Sequence, residues 1–220
     1  MGSTHTGIGS REVKRLYIYM LTPPEAFGCV EDGIYRCSAL DPLNLQFLST
    51  LGLGIIISLN PEKPSKPVRS FAQENVIQLV HLGLRPWRPV LDNWMLFSKE
   101  LIQDALTYIL DRGKQPVLIL DSTNAFVGVL RNLQHWNYSS VVAEYRAFSG
   151  GKSHYMTEIF LELLDLKCIP HEQAIKEKES KLPLSKNETQ IIISLPPDEV
   201  LPDWFKFQSR LWQQELESES

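Results

Sequence analysis

Short continuous apolar runs alternate along this chain with stretches whose apolar residues fall three and four apart, a rhythm that predicts strands separated by helices. Gly54–Leu59 (GIIISL) and Val117–Leu120 (VLIL) are apolar runs of strand length, the pattern of strands covered on both faces. Ile34–Ser38 and the run IQLVHLGL at 77–84 predict two more strands. Between them, DPLNLQFLSTLGL reads as a short helix with Asp41 as cap, Pro42 at its first position, Leu45, Leu48 and Leu51 at three-residue spacing, and Gly52 as its stop. The alternation predicts an α/β fold, a central mostly parallel sheet of about four or five strands flanked by helices with right-handed crossovers.

A helix is expected from about Trp94 to Asp111, with Leu101, Ile102, Ala105, Ile109 and Leu110 in one stripe and Gly113 as its stop. Another follows Leu120, carrying Phe126, Val129, Leu130 and Leu133 on one side, and SSVVAEYRAFSG and SHYMTEIFLELLDL predict two more. Residues 1–20 read as a flexible polar N-terminus, 21–168 as the folded domain, and 169–220 as a charged linker with an aromatic extension that holds a possible strand, TQIIISLPP. In that extension Trp204, Phe205, Phe207, Leu211 and Trp212 approximate one helical face. Trp204, Phe207 and Trp212 are therefore candidates for binding a partner, although docking on the chain's own domain accounts for the same stripe.

Composition narrows the classes. The chain has 220 residues, 43% of them apolar and 22% charged, and a formal charge of −4, which argues against a nucleic-acid binder working by phosphate neutralisation. Three cysteines without a CxxC pair, and no apolar leader, predict a reduced cytoplasmic protein. No apolar run approaches the ~18 residues of a membrane span. Met1-Gly2-Ser3-Thr4-His5-Thr6 fits the permissive pattern for N-myristoylation at Gly2 and equally an ordinary polar N-terminus. No His, Cys or acidic cluster has metal-ligand spacing, so neither metal nor cofactor is expected.

The strand-to-helix junction is where α/β proteins place phosphate-binding loops, and here it reads Leu120-Asp121-Ser122-Thr123-Asn124. The segments GIYRCS, LNLQFLSTLGLGIIISL, QPVLILD and LRNLQHWNYSSVVAEYRAFSG resemble the plant-and-fungal atypical dual-specificity phosphatases, within the cysteine-dependent tyrosine phosphatases. The likeness spans roughly Leu21 to Leu166 and is nearest to the fungal Oca group, named for oxidant-induced cell-cycle arrest, in particular to members with a degenerate loop. It implies a cysteine-phosphatase-like fold, hydrolysis of phosphoric monoesters or inositol pyrophosphates in active members, and hetero-oligomers of related phosphatase-family proteins.

That chemistry needs a loop H-C-x-x-x-x-x-R-[ST], in which a thiolate attacks phosphorus while backbone N–H groups, an arginine and a helix N-terminus hold the oxygens. Here Leu120 and Asp121 stand where His-Cys would follow the strand, and residues 122–127 contain no arginine or lysine. Aligned backward from LRNLQHW, Thr123 falls at the hydroxyl after the family's arginine, which leaves the loop about five residues short of the backbone donors a phosphate cradle uses. No catalytic residue is assigned.

Asp121 as an aspartyl-phosphate former lacks a second acid beside it, and a helix-capping role for Asp121, Ser122 or Thr123 accounts for the same letters. Cys29, Cys37 and Cys168 read as structural, and Asp92 reads as a remnant acid or a helix cap. Arg36, Arg85 and Arg88 are candidates for holding an anion without turnover, or for internal ion pairs. Two functions follow: a catalytically degenerate scaffold or regulatory subunit linked to inositol pyrophosphate signalling, or an active divergent tyrosine or inositol-pyrophosphate phosphatase.

Overall fold

In the computed structural model, which describes residues 21–83, 95–173 and 190–219, the apolar runs form the middle of a five-stranded sheet. Its spatial order is β1 (Gly28–Glu31), β2 (Ile34–Cys37), β5 (Val117–Leu120), β3 (Ile55–Ser58) and β4 (Gln78–His81). β1 pairs antiparallel with β2, and every other neighbour is parallel. β3 and β5 bury all their residues. Since successive side chains point to opposite faces, Ile55, Ile57, Val117 and Ile119 enter one core, and Ile56, Leu118 and Leu120 enter the other. Each fully buried side chain of this size contributes about 1.5–3 kcal/mol, so the β3–β5 pair anchors the domain.

On the first face lie α3 (Lys99–Ile109), α4 (Phe126–Leu133), α5 (Tyr138–Ser149) and α6 (Tyr155–Leu163). On the second lie α1 (Leu45–Ser49) and α2 (Lys66–Glu74). Local chemistry sets their ends. Asp41 accepts from Leu43 N–H while the Asn44 side chain accepts from Asp41 N–H, a reciprocal cap ahead of α1. Ser98 caps α3 and Asn137 caps α5 through their side chains. Gly113, expected to stop α3, instead donates its N–H to Asp111 Oδ1 in a following 3-10 turn, after the helix has closed at Leu110.

The reading of 153–166 as one helix is corrected. α6 ends at Leu163 because β6 (Leu166–Ile169) is drawn into a parallel pair with β7 (Ile191–Ser194), and Ile191 N–H donates to Asp165 O. A single stretch of sequence does not announce a partner that lies beyond the intervening segment. After β7, α7 (Asp203–Glu219) returns over the first face. Ile191, Ile193, Leu201 and Phe205 belong to the same core cluster as α3 to α6, and Gln103 Nε2 donates to Ile192 O at 2.8 Å. Among the described residues no helix is long and apolar enough to cross a membrane.

Candidate active site

The last register row of the parallel strands is Cys37, Leu120, Ser58 and His81, side by side on β2, β5, β3 and β4. Beyond this row the sheet opens, and in folds of this kind ligands meet the crevice outside the carboxyl ends of the strands. The loop from Asp121 to Ala125, which joins β5 to α4, closes over that opening.

It closes on itself. Asp121 is 5% exposed; its Oδ1 accepts from Thr123 N–H at 2.9 Å and from Thr123 Oγ1–H at 2.7 Å, while Oδ2 accepts from Phe126 N–H at 2.8 Å. Thr123 Oγ1 in turn accepts from Ala125 N–H at 3.3 Å. Asn124, in the left-handed region at φ 57°, donates its N–H to Asp121 O at 3.1 Å. Asp121 N–H donates to Cys37 O at 3.0 Å, and Ser122 N–H donates to Asn60 Oδ1 at 2.7 Å. Every backbone N–H from Asp121 to Phe126 thus has an acceptor within the chain. The carboxylate takes the place at the N-terminus of α4 that an anionic ligand would otherwise occupy. Formally the N-cap is Ala125, which has no side chain to cap with, so Asp121 reaches across from four residues upstream.

Behind the loop two arginines are buried side by side. Arg36, on β2, stacks its guanidinium 3.8 Å from the centre of the Phe148 ring, pairs with Glu144 at 3.3 Å and donates to Asn124 O at 3.1 Å. Burial lowers its pKa to about 10, against the upward pull of Glu144 and Asp121, so it stays a cation at neutral pH. Arg131, on α4, pairs with Glu31 and with Glu144 Oε2 at 2.8 Å, donates to Val30 O at 3.0 Å and to Gln134 Oε1 at 2.9 Å, and lies over the Trp136 ring. Two guanidinium groups and two carboxylates form one network that ties β1, β2, α4 and α5 together behind the loop. Arg85 and Arg88, the other two candidates for anion binding, lie outside the described residues, as do Asp92 and Gly2.

No cysteine faces the loop as a thiolate. Cys37 is 1% exposed, and its pKa is pushed up to about 12, first by burial and then by the charge on Asp121. Cys168, half-buried on β6, is pushed up to about 11 by burial. Cys29 is exposed on β1, and its thiol donates to Glu31 O. Alkylation by iodoacetamide at pH 8 is expected to modify Cys29 within minutes and to leave Cys37 untouched until the protein unfolds, which peptide mass spectrometry reads directly. Because the Cys37 pKa is higher folded than unfolded, its contribution to stability is complete below the unfolded value near 9 and declines as pH rises toward 12. The denaturation midpoint of the wild type is therefore expected to fall over that window more steeply than that of Cys37→Ala.

The aromatic candidates of the tail divide. Trp204 is half-buried against the main core, edge-on to Phe205. Trp212 stacks on His135 with centroids 4.2 Å apart and 9° between planes, and Phe207 is 53% exposed. Two residues that sequence reading passed over matter to the loop. Asn60 is its latch: it takes Ser122 N–H on its side chain, lies 2.7 Å from His81 Nε2 through its carbonyl, and packs so close to Gly83 that a Cβ there would lie 2.0 Å from Asn60 O. Glu144 is the shared acceptor of both arginines; nothing in its helical neighbourhood signals that role.

A family model described as "Tyrosine phosphatase family" matches residues 21–183. Inositol diphosphatase DSP4 of Arabidopsis thaliana is 33% identical over 157 residues, covering 69% of this chain and 78% of that protein. Protein OCA4 of Saccharomyces cerevisiae is 29% identical over 232 residues, covering 79% of this chain and 64% of that protein. Among solved structures, the core catalytic domain of the PP-IP phosphatase SIW14 from S. cerevisiae superimposes with a TM-score of 0.58 at 29% identity, covering 73% of this chain and 94% of that one.

Proposed function

The chain belongs to the tyrosine phosphatase family, and on that premise we propose that it is a member without turnover, a scaffold or regulatory subunit that pairs with related phosphatases. The observation that carries this is the closed loop: the N–H groups that would cradle a phosphate are each bonded to an acceptor of the chain itself, three of them through the Asp121 carboxylate and the Thr123 hydroxyl it holds. Phosphoryl transfer is accelerated by positioned donors and a nucleophile more than by any other means. The loop supplies neither, and Arg36 is bonded inward. Relatives named inositol diphosphatase and PP-IP phosphatase support a connection with inositol pyrophosphate signalling. The exposed aromatic Phe207, with Leu211 beside it on α7, supports a surface that meets other proteins.

The names of the same relatives favour a second reading, an active divergent phosphatase. It requires a thiolate from elsewhere in the chain, and the raised pKa of Cys37 weighs against the best-placed one. Purified protein at high concentration, incubated with an inositol pyrophosphate and with an aryl phosphate, is expected to release no phosphate above a heat-inactivated control. Release that vanishes in Cys29→Ser/Cys37→Ser would establish a relocated thiol nucleophile and replace the scaffold reading.

A further inference from the structure

Beside the closed loop, on the opposite face of the sheet from α4, a cleft of about 500 Å³ opens between the carboxyl ends of β3 and β5 and the start of α2. Its volume lies in the range of small-molecule sites. Leu40, Val68 and Leu120 give it an apolar wall. Its polar side chains are Ser58, Asn60, Glu62, Lys63, Ser65 and Ser122. Ser58, which ends the apolar run of β3, lines the cleft at 0% exposure, and among the described residues its Oγ has no hydrogen-bond partner. A buried hydroxyl left unpaired is unfavourable and marks a place where a partner belongs.

The second set of donors comes from α2, a helix of nine residues. Its N-cap, Ser65, lines the cleft and makes no side-chain cap bond. Pro67 has no N–H to offer, and the N–H groups of Lys66 and Val68 have no described acceptor, so the positive end of the helix faces the cleft uncapped. Lys63 and Glu62 share the rim and offset one another, which leaves selectivity to the helix amides and Ser58. The wall is held in advance of any ligand, since the Asn60 turn is bonded both to the loop and to His81.

We propose that this cleft binds a small organic anion with an apolar body, its carboxylate or phosphoryl oxygens on Ser58 Oγ and the α2 amides and its body on Leu40, Val68 and Leu120. The cleft borders the loop at α4 through Ser122 but shares none of the Asp121, Thr123 or Asn124 bonds that close it, and the proposal holds whether or not the chain hydrolyses phosphate esters.

The full chain is titrated by thermal shift and by isothermal calorimetry with phenylphosphonate, which cannot be hydrolysed, with benzoate, and with neutral benzyl alcohol. One of the two acids is expected to bind saturably, at least tenfold more tightly than the alcohol, and the tighter one identifies the head group. Ser58→Ala is expected to weaken that binding tenfold or more with no fall in the melting temperature of the unligated protein, because the substitution removes an unpaired hydroxyl. Ser65→Asp supplies the helix with its own carboxylate cap, so it is expected to raise the unligated melting temperature and abolish binding. Acids that bind no better than the alcohol, or variants that keep wild-type affinity, would overturn the proposal. Tighter binding in Asp121→Asn with unchanged affinity in Ser58→Ala would overturn the proposal and place the anion at the α4 loop instead.

Discussion

Arg131→Ala is expected to destabilise the protein by about 4 kcal/mol, the cost of breaking a buried ion pair from one side. Among the described residues the guanidinium is the one group that touches both Glu31 on β1 and Glu144 on α5, and its removal leaves two partly buried carboxylates with Gln134 Oε1 and Val30 O stripped of a donor. Lysine is not expected to rescue it, since one ammonium cannot address acceptors on three sides as the planar fork does. Urea denaturation of the wild type, Arg131→Ala, Arg131→Lys and Glu144→Gln measures this. A loss below about 1 kcal/mol for the alanine variant would mean that the network contributes as little as a surface pair. Glu144→Gln is expected to cost less than Arg131→Ala, because an amide oxygen still accepts from one arginine, Arg131 keeps Glu31, and the Arg36 cation that loses its carboxylate still donates to Asn124 O.

Asp121→Ala carries the second large effect. It deprives Thr123 N–H, Thr123 Oγ1–H and Phe126 N–H of one charged acceptor in a site that is 5% exposed. Hydrogen bonds to charged groups contribute about 1.5–3 kcal/mol each, but they share one carboxylate and are not additive, so a total loss of about 3 kcal/mol is expected. The variant should also gain something the wild type lacks. With the carboxylate gone, the first turn of α4 regains unpaired donors, and sulfate is expected to raise the melting temperature of Asp121→Ala more than that of the wild type. An equal response of the two proteins to sulfate would show that the carboxylate does not occupy an anion seat.

The sheet and its flanking helices were legible because each announces itself locally. Ile55–Ile57 and Val117–Leu120 are apolar without interruption, and only a strand covered on both faces tolerates that at such short length; both lie at the centre of the sheet. Asp41-Pro42 declares a helix start through chemistry that acts over two or three residues, whereas the helix expected from about Trp94 begins only at Lys99, where Ser98 caps it. The same locality explains the misses. Leu164 to Leu166 continue a helical apolar spacing and leave the helix because Ile191 N–H and β7 compete for that backbone. Gly28–Glu31 carries too little apolar pattern to read as a strand, and it forms one through pairing with β2 across the turn at Asp32-Gly33.

At the candidate site the division falls the same way. Sequence alone determined that the β5–α4 junction holds no cysteine and no arginine, because that is a matter of which letters stand at adjacent positions. It left open whether Asp121 is exposed chemistry or a cap, and whether Arg36 serves a ligand or the protein. Tertiary structure decided both, since their partners are distant in the chain: Arg131 meets Glu31 across 100 positions, Arg36 meets Asn124 across 88, and the loop is latched to Asn60 across 62. The cleft beside Ser58 belongs to the same class of fact, for an unpaired hydroxyl and an uncapped helix become a site only when β3, β5 and α2 are brought together. Periodicity reports which way a residue faces; what it faces is set by packing, through contacts whose closure entropy is repaid only when the whole core forms.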